Sequence, residues 1–388
     1  MRAAQASVAV ALVAATLGGC ATPSRLPATA GMQAVAVVPG YTEPIRFWAD
    51  ASPAAWLNWR QRWLADRPAE GDQSFEMLAI SSGSDKGAFA AGYLNGWSAR
   101  GSRPTFALVT GVSTGALIAP FAFLGSDEDA TLRALYTGID ANDIFRRTPV
   151  RGALGGPSFA STQPLRRLIA RHVTADIVDR IAVQHRAGRR LLVLTTNLDA
   201  QRGVVWDVGE IAASRAADKV ELIRSILLAS ASIPGVFPPV EVAVHSGAEP
   251  FTEMHVDGGT TSSVFVVPDA LLSAGAGADV PGVRRPGMTL LYNGVLAPRY
   301  MTVAPSAFSI IERALETVIG ASDRRAIGSY RAFAEGSNVS LCIEAIDPTF
   351  DSAPHELFDR QYMMRLFDWG HAAGRTHACQ SGLHEPNN

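Results

Sequence analysis

The feature that most constrains this chain is Gly111-Val112-Ser113-Thr114-Gly115, set between an apolar run at 106–110 and an Ala-rich stretch at 116–124. A serine at the tip of a sharp strand-to-helix turn is exposed on a strained backbone, and small flanking residues relieve the crowding there. The helix N-terminus behind it favours developing negative charge. A buried strand before and a helix after are what such a turn demands. The segment therefore predicts one strand–turn–helix unit with Ser113 as candidate nucleophile.

The same rhythm recurs along the chain. A short apolar strand at 77–81 leads into Ser82-Gly83-Ser84-Asp85-Lys86-Gly87, and 88–97 reads as a helix despite Gly92 and Gly96. Further strands are expected at 191–196, 204–208, 288–292 and 339–345, with helices at 165–171, 220–230, 307–319 and 357–374. Strands alternating with helices imply an α/β fold with a mainly parallel sheet covered on both faces. The stretches 247–250 and 274–286 read as surface loops. Ahead of this pattern, Trp56, Trp59 and Trp63 fall at helical spacing and form one aromatic stripe. Such a stripe is the usual signature of a helix packed on a core.

A chain of 388 residues with 47% hydrophobic and 18% charged residues is ample for a large core. Its formal net charge of −2 offers no basic surface for nucleic acid. The histidines lack metal-ligand spacing and no calcium loop is visible, so neither a metal nor another cofactor is expected.

The N-terminus reads as a targeting segment. Arg2 precedes an apolar run too short to span a bilayer, and Leu17-Gly18-Gly19-Cys20 follows. That tetrapeptide looks like a bacterial lipobox, which would make Cys20 the lipidated first residue of the mature chain. A Ser/Pro/Ala/Thr-rich tether follows, and Ala21 at the sorting position favours the outer membrane over retention. The organisation expected is a signal peptide at 1–19, a tether and lead-in at 20–73, a catalytic core at 74–270, and a C-terminal α/β extension at 271–388. In an oxidising compartment Cys342 and Cys379 either pair or, for Cys342, remain a buried thiol.

The turn at 82–87 lies between a strand and a helix, so its backbone N–H groups are placed to receive an oxyanion. It lacks the Gly-Lys-Ser/Thr ending of a nucleotide-phosphate loop. Asp257-Gly258-Gly259 follows a short apolar approach and supplies a carboxylate; a serine hydroxyl is a weak nucleophile and needs such a base. These three segments, in this order, resemble the patatin-like phospholipase family in its bacterial branch. The segment at 229–239, Ala-Ser-Ala-Ser-Ile-Pro-Gly-Val-Phe-Pro-Pro, resembles the family as well. The resemblance implies a three-layer α/β/α fold and a lipid acyl hydrolase acting on phospholipid or neutral lipid esters. It places the nucleophile at Ser113, the base at Asp257 and the oxyanion donors at the N–H groups of Gly83 and Ser84. Ser82, Asp85, Lys86, Gly87, Gly111, Gly115, Gly258 and Gly259 complete the motifs. The chain departs from the family at Ser82 and Ser84, where glycines are usual. Two other readings compete. One is an esterase with a Ser–Asp–His triad drawing on His355, His371 or His377. The other is a catalytically silent lipid-binding envelope lipoprotein.

Overall fold

The computed structural model describes residues 25, 28–67, 75–148, 158–266, 272, 280, 283, 285–298, 300, 302–350, 354 and 356–376. Its central sheet contains β1 (Arg46–Trp48), β2 (Glu76–Ile80), β3 (Leu108–Val112), β4 (Arg190–Asn197), β5 (Arg202–Asp207), β6 (Val240–Ser246), β7 (Glu249–Asp257), β8 (Gly287–Tyr292) and β9 (Ser340–Ala345). The order is β1-β5-β4-β3-β2-β8-β9, with β7 also pairing β4 and β6 pairing β7. The run β4-β3-β2-β8-β9 is parallel throughout, while β1, β5, β6 and β7 join antiparallel.

The principal helices are α1 (Pro53–Ala65), α2 (Gly87–Ala99), α3 (Thr114–Leu124), α4 (Gln163–His172), α5 (Lys219–Ser230), α6 (Ala307–Gly336) and α7 (Arg360–Thr376). Successive strand residues point to opposite faces, and the core divides accordingly. Leu78, Ile80, Val109 and Val193 pack with α2, α3, α4, α5 and α7 on one face. Met77, Ala79, Leu108 and Leu192 pack on the other against α1 and the second half of α6, through Ile327, Tyr330 and Phe333. The result is a three-layer α/β/α molecule with a mainly parallel sheet.

Local chemistry explains several boundaries. Ser52 caps α1 by accepting from the Ala55 N–H, and Pro53 occupies the first turn, where its missing N–H costs nothing. The stripe of Trp56, Trp59 and Trp63 is buried beneath the sheet. The reading of 247–250 as a loop is corrected: Gly247, at φ +59, turns a hairpin whose strands reach Ser246 on one side and begin at Glu249 on the other. Most of 274–286 lies outside the described residues. So do Cys20 and Cys379, while Cys342 on β9 is disulfide-bonded.

The packing of α7 on α2 is made at backbone level. A Cβ at Gly92 or Gly96 would lie 2.0 Å from the Phe367 carbonyl oxygen or 2.1 Å from that of His371. Reciprocally, a Cβ at Gly370 or Gly374 would lie 2.2 Å from the Phe89 oxygen or 2.1 Å from that of Tyr93. Glycine in a helix interior costs about 1 kcal/mol relative to alanine; here four of them let two helices approach until their main chains touch.

Candidate active site

Ser113 follows β3 directly and caps the start of α3, at φ 56 and ψ −120. A positive φ in a residue with a side chain is strained and persists only where the surroundings hold it. The Ser113 N–H donates to Ser230 Oγ at 2.9 Å, and that hydroxyl donates onward to the Leu194 carbonyl at 2.7 Å. The elbow is thereby pinned to β4 from the end of α5. Gly111 and Gly115 make room for the crossing. A Cβ at Gly111 would sit 2.4 Å from the Gly115 oxygen, and one at Gly115 would sit 2.1 Å from the Ile80 oxygen.

Sheet register brings Asp257 to Ser113. β3 pairs with the first half of β4 and stops at Val112, opposite Leu194. β7 then pairs with the rest of the same strand, and its last residue, Asp257, stands opposite Thr195. The end of β7 therefore meets the end of β3 across one position of β4. Ser113 Oγ donates to Asp257 Oδ2 at 2.6 Å, and Asp257 Oδ1 accepts from the Gly259 N–H at 2.7 Å. The Asp257 N–H donates to the Ser232 carbonyl at 2.9 Å. Gly258 fits beneath, where a Cβ would lie 2.4 Å from the Leu194 oxygen. Burial pushes the Asp257 carboxyl up to about 7, against the bonds from Ser113 and Gly259 that pull it down. A carboxyl poised near neutrality is well matched to taking a proton and returning it.

The turn after β2 completes the arrangement. Ser82 donates its N–H to the Ser263 carbonyl at 2.8 Å. Gly83 stands at φ 156 and ψ 4, where a Cβ would lie 2.5 Å from both the Asn293 side chain and its carbonyl. Ser84 follows at φ 56. Among the described residues the N–H groups of Gly83 and Ser84 donate to no protein acceptor, and the Ser84 hydroxyl is buried with no partner. Ser84 and Ser113 line one pocket, whose walls are otherwise mainly apolar. Asp85 is buried and accepts from the Phe358 N–H at 3.2 Å, and burial raises its carboxyl. Lys86 is exposed, and Gly87 opens α2 against Thr114, whose Oγ1 would lie 2.3 Å from a Cβ there.

The sequence assigns no individual role to three residues that support this site. Ser230 and Ser232 belong to the segment at 229–239, but their roles depend on partners elsewhere in the chain. Asn293 holds the turn after β2: its N–H donates to Ser81 Oγ at 2.8 Å and its Nδ2 to the Ser81 carbonyl at 2.9 Å. An Asn-Gly pair closing an apolar strand was the available signal.

Among the described residues no histidine bonds Ser113 or Asp257. His371 stacks on Phe367 within α7, against the glycine stripe of α2. His255, two residues before Asp257, is buried and bonded to Thr195 and Glu253. His355 and His377 lie outside the described residues.

A strained serine on a strand-to-helix elbow, a buried aspartate on its hydroxyl and a turn whose Gly83 and Ser84 N–H groups bond no protein acceptor among the described residues meet at one site. Residues 78–269 match the family model described as patatin-like phospholipase. The chain thus carries a patatin-like phospholipase domain, within a fold that continues through α7. Members of this family act on lipid substrates, which supports lipid acyl hydrolysis in general terms. Among solved structures the chain is similar to VipD from Legionella pneumophila, at 12% identity over 77% of this chain and 67% of that one, with a TM-score of 0.36. No curated protein sequence matches it.

Proposed function

We propose that the protein is a serine acyl hydrolase of lipase or phospholipase A type, working through a Ser113–Asp257 dyad. The observation that carries this reading is the 2.6 Å hydrogen bond from Ser113 Oγ to Asp257 Oδ2 inside a buried site. Asp257 takes the hydroxyl proton as Ser113 Oγ bonds to the ester carbonyl carbon. The negative charge that develops on the carbonyl oxygen is received by the N–H groups of Gly83 and Ser84. The carbon–oxygen bond to the alcohol then breaks, and the alcohol leaves with the proton from Asp257. Water repeats the sequence on the acyl-serine and releases the acid. Each backbone donor is worth about 3–4 kcal/mol of barrier in comparable sites. The serine at 84 changes the side chain at that position and keeps the N–H.

The envelope location belongs to the same proposal. The lipobox-like Leu17-Gly18-Gly19-Cys20 supports lipidation of Cys20 and anchoring to a membrane, with Ala21 favouring the outer one. Among the described residues no helix is long and apolar enough to cross a membrane.

The test is hydrolysis of a nitrophenyl ester and a labelled phospholipid in EDTA by wild type, Ser113→Ala and Asp257→Asn, with fluorophosphonate labelling of each. Turnover and labelling by wild type, lost in Ser113→Ala, are expected, with turnover also lost in Asp257→Asn. Folded wild type that neither turns over nor labels would return the silent lipid-binding reading. Activity that survives Asp257→Asn but not loss of His355, His371 or His377 would return the triad. Radiolabelled palmitate incorporation that survives Cys20→Ser would remove the anchor.

A further inference from the structure

The pocket that opens on Ser113 has one wall from a distant part of the chain. Leu117, Ile233 and Phe237 line it from within the family-matched region, and Phe358 lines it from the segment just before α7. Among the described residues that line it none is a lysine or arginine, and the mainly apolar walls suit an acyl chain.

Phe358 is held there by several independent contacts. Among the described residues it is one of four non-glycine residues at positive φ, at 62°, a conformation that survives only where the surroundings impose it. Its N–H is fixed to the buried carboxylate of Asp85, on the turn that follows β2. Its ring lies 6.4 Å from that of Phe145, which in turn lies 5.7 Å from that of Phe237 across the same wall. Two residues on, Arg360 donates to the Thr137 carbonyl at 3.0 Å. Behind it α7 is seated on the glycines of α2. A ring positioned this firmly beside a nucleophile is a fixed boundary for whatever enters.

We propose that Phe358 limits the length of acyl chain this site accepts, making it a specificity-determining residue that favours short-chain over long-chain acyl esters. This rests on the acyl-hydrolase reading above and deepens it. Removing the ring opens space for further methylenes, and each one buried is worth about fourfold.

Nitrophenyl butyrate and nitrophenyl laurate are compared in wild type, Phe358→Leu and Phe358→Ala. Trp369→Ala serves as control: Trp369 is a half-exposed ring of α7 that does not line the pocket. The laurate-to-butyrate ratio of kcat/KM is expected to rise about tenfold or more in Phe358→Ala, by less in Phe358→Leu, and to keep the wild-type value in Trp369→Ala. A ratio unmoved by Phe358→Ala overturns the proposal. Calorimetric binding of the free acids, laurate and butyrate, reads the same pocket without turnover. Tighter laurate binding in Phe358→Ala supports the assignment, and an unchanged laurate-to-butyrate affinity ratio overturns it. Wild type that binds these acids but hydrolyses no ester would instead sink the hydrolase reading alone.

Discussion

Replacing Asp257 by asparagine should stabilise the protein, and should do so more as the pH rises. The carboxyl is 5% exposed and pairs with no cation among the described residues; its ordinary value of 3.8 is pushed up to about 7 by burial. A folded value above the unfolded one means that the folded state holds the proton more tightly. The associated stability is complete below about pH 4 and is lost as the pH climbs through about 7. The full rise corresponds to about 4 kcal/mol, of which about 2 is already lost at about pH 5. Asparagine carries no charge and keeps a partner for each bond: its Oδ1 can accept from Gly259, and its amide can donate to Ser113. Urea unfolding of wild type and Asp257→Asn at about pH 5 and about pH 8.5 reads the difference, and other buried carboxyls such as Asp85 and Asp323 cancel in it. The advantage of the asparagine variant should grow by about 2–3 kcal/mol between the two pH values. A gap that stays constant, or shrinks, would refute the reasoning and mean that water reaches Asp257.

The same carboxyl must be ionised to take the Ser113 proton, so kcat/KM for a neutral ester should rise with pH along a single titration centred near 7; a flat profile from about pH 5 to 9 would contradict this. Ser230→Ala strands the Ser113 N–H and the Leu194 carbonyl, each at about 1–3 kcal/mol. It should lower both unfolding free energy and kcat, with KM little moved. Gly115→Ala drives a Cβ to 2.1 Å from the Ile80 oxygen, a contact that no rotamer relieves. We expect a loss of about 3 kcal/mol or more in urea unfolding, with Gly101→Ala, whose Cβ would meet nothing within 4 Å but whose φ is +79, losing less.

What was legible in the sequence was the parallel centre. β2, β3, β4 and β8 are covered on both faces and therefore read as short continuous apolar runs. The expected strand at 106–110 falls at Leu108–Val112 because Gly111 and Val112 pair with Val193 and Leu194, which apolarity alone does not reveal. The hairpin of β6 and β7 was passed over although Val240, Val242 and Val244 alternate with exposed Glu241 and Ala243. Gly247 and Pro250 suggested a loop, yet Pro250 sits in register opposite His245. The helix expected at 307–319 runs to Gly336, since the residues that bury it, Ile327, Tyr330 and Phe333, come later. Gly92 and Gly96 look like defects in α2 until α7 is laid against them. The pairing of Ser113 with Asp257, 144 residues apart, depends on β3 and β7 meeting along β4. No local pattern encodes that meeting; only the order of the motifs hinted at it.

The placement of β8 and α7 also sets a timetable. When a ribosome has released the chain as far as Asp257, the nucleophile and its carboxylate already exist. The turn that carries Gly83 and Ser84 does not yet have its supports. β8, which pairs with β2, Asn293, on which Gly83 rests, and α7, which fills the glycine stripe of α2, are all still to be synthesised. The elements made last complete the elements made first. On the mechanism proposed above, a nascent or prematurely terminated chain would hold Ser113 and Asp257 without the supported turn meant to receive the developing charge, and its activity would wait on the final helix.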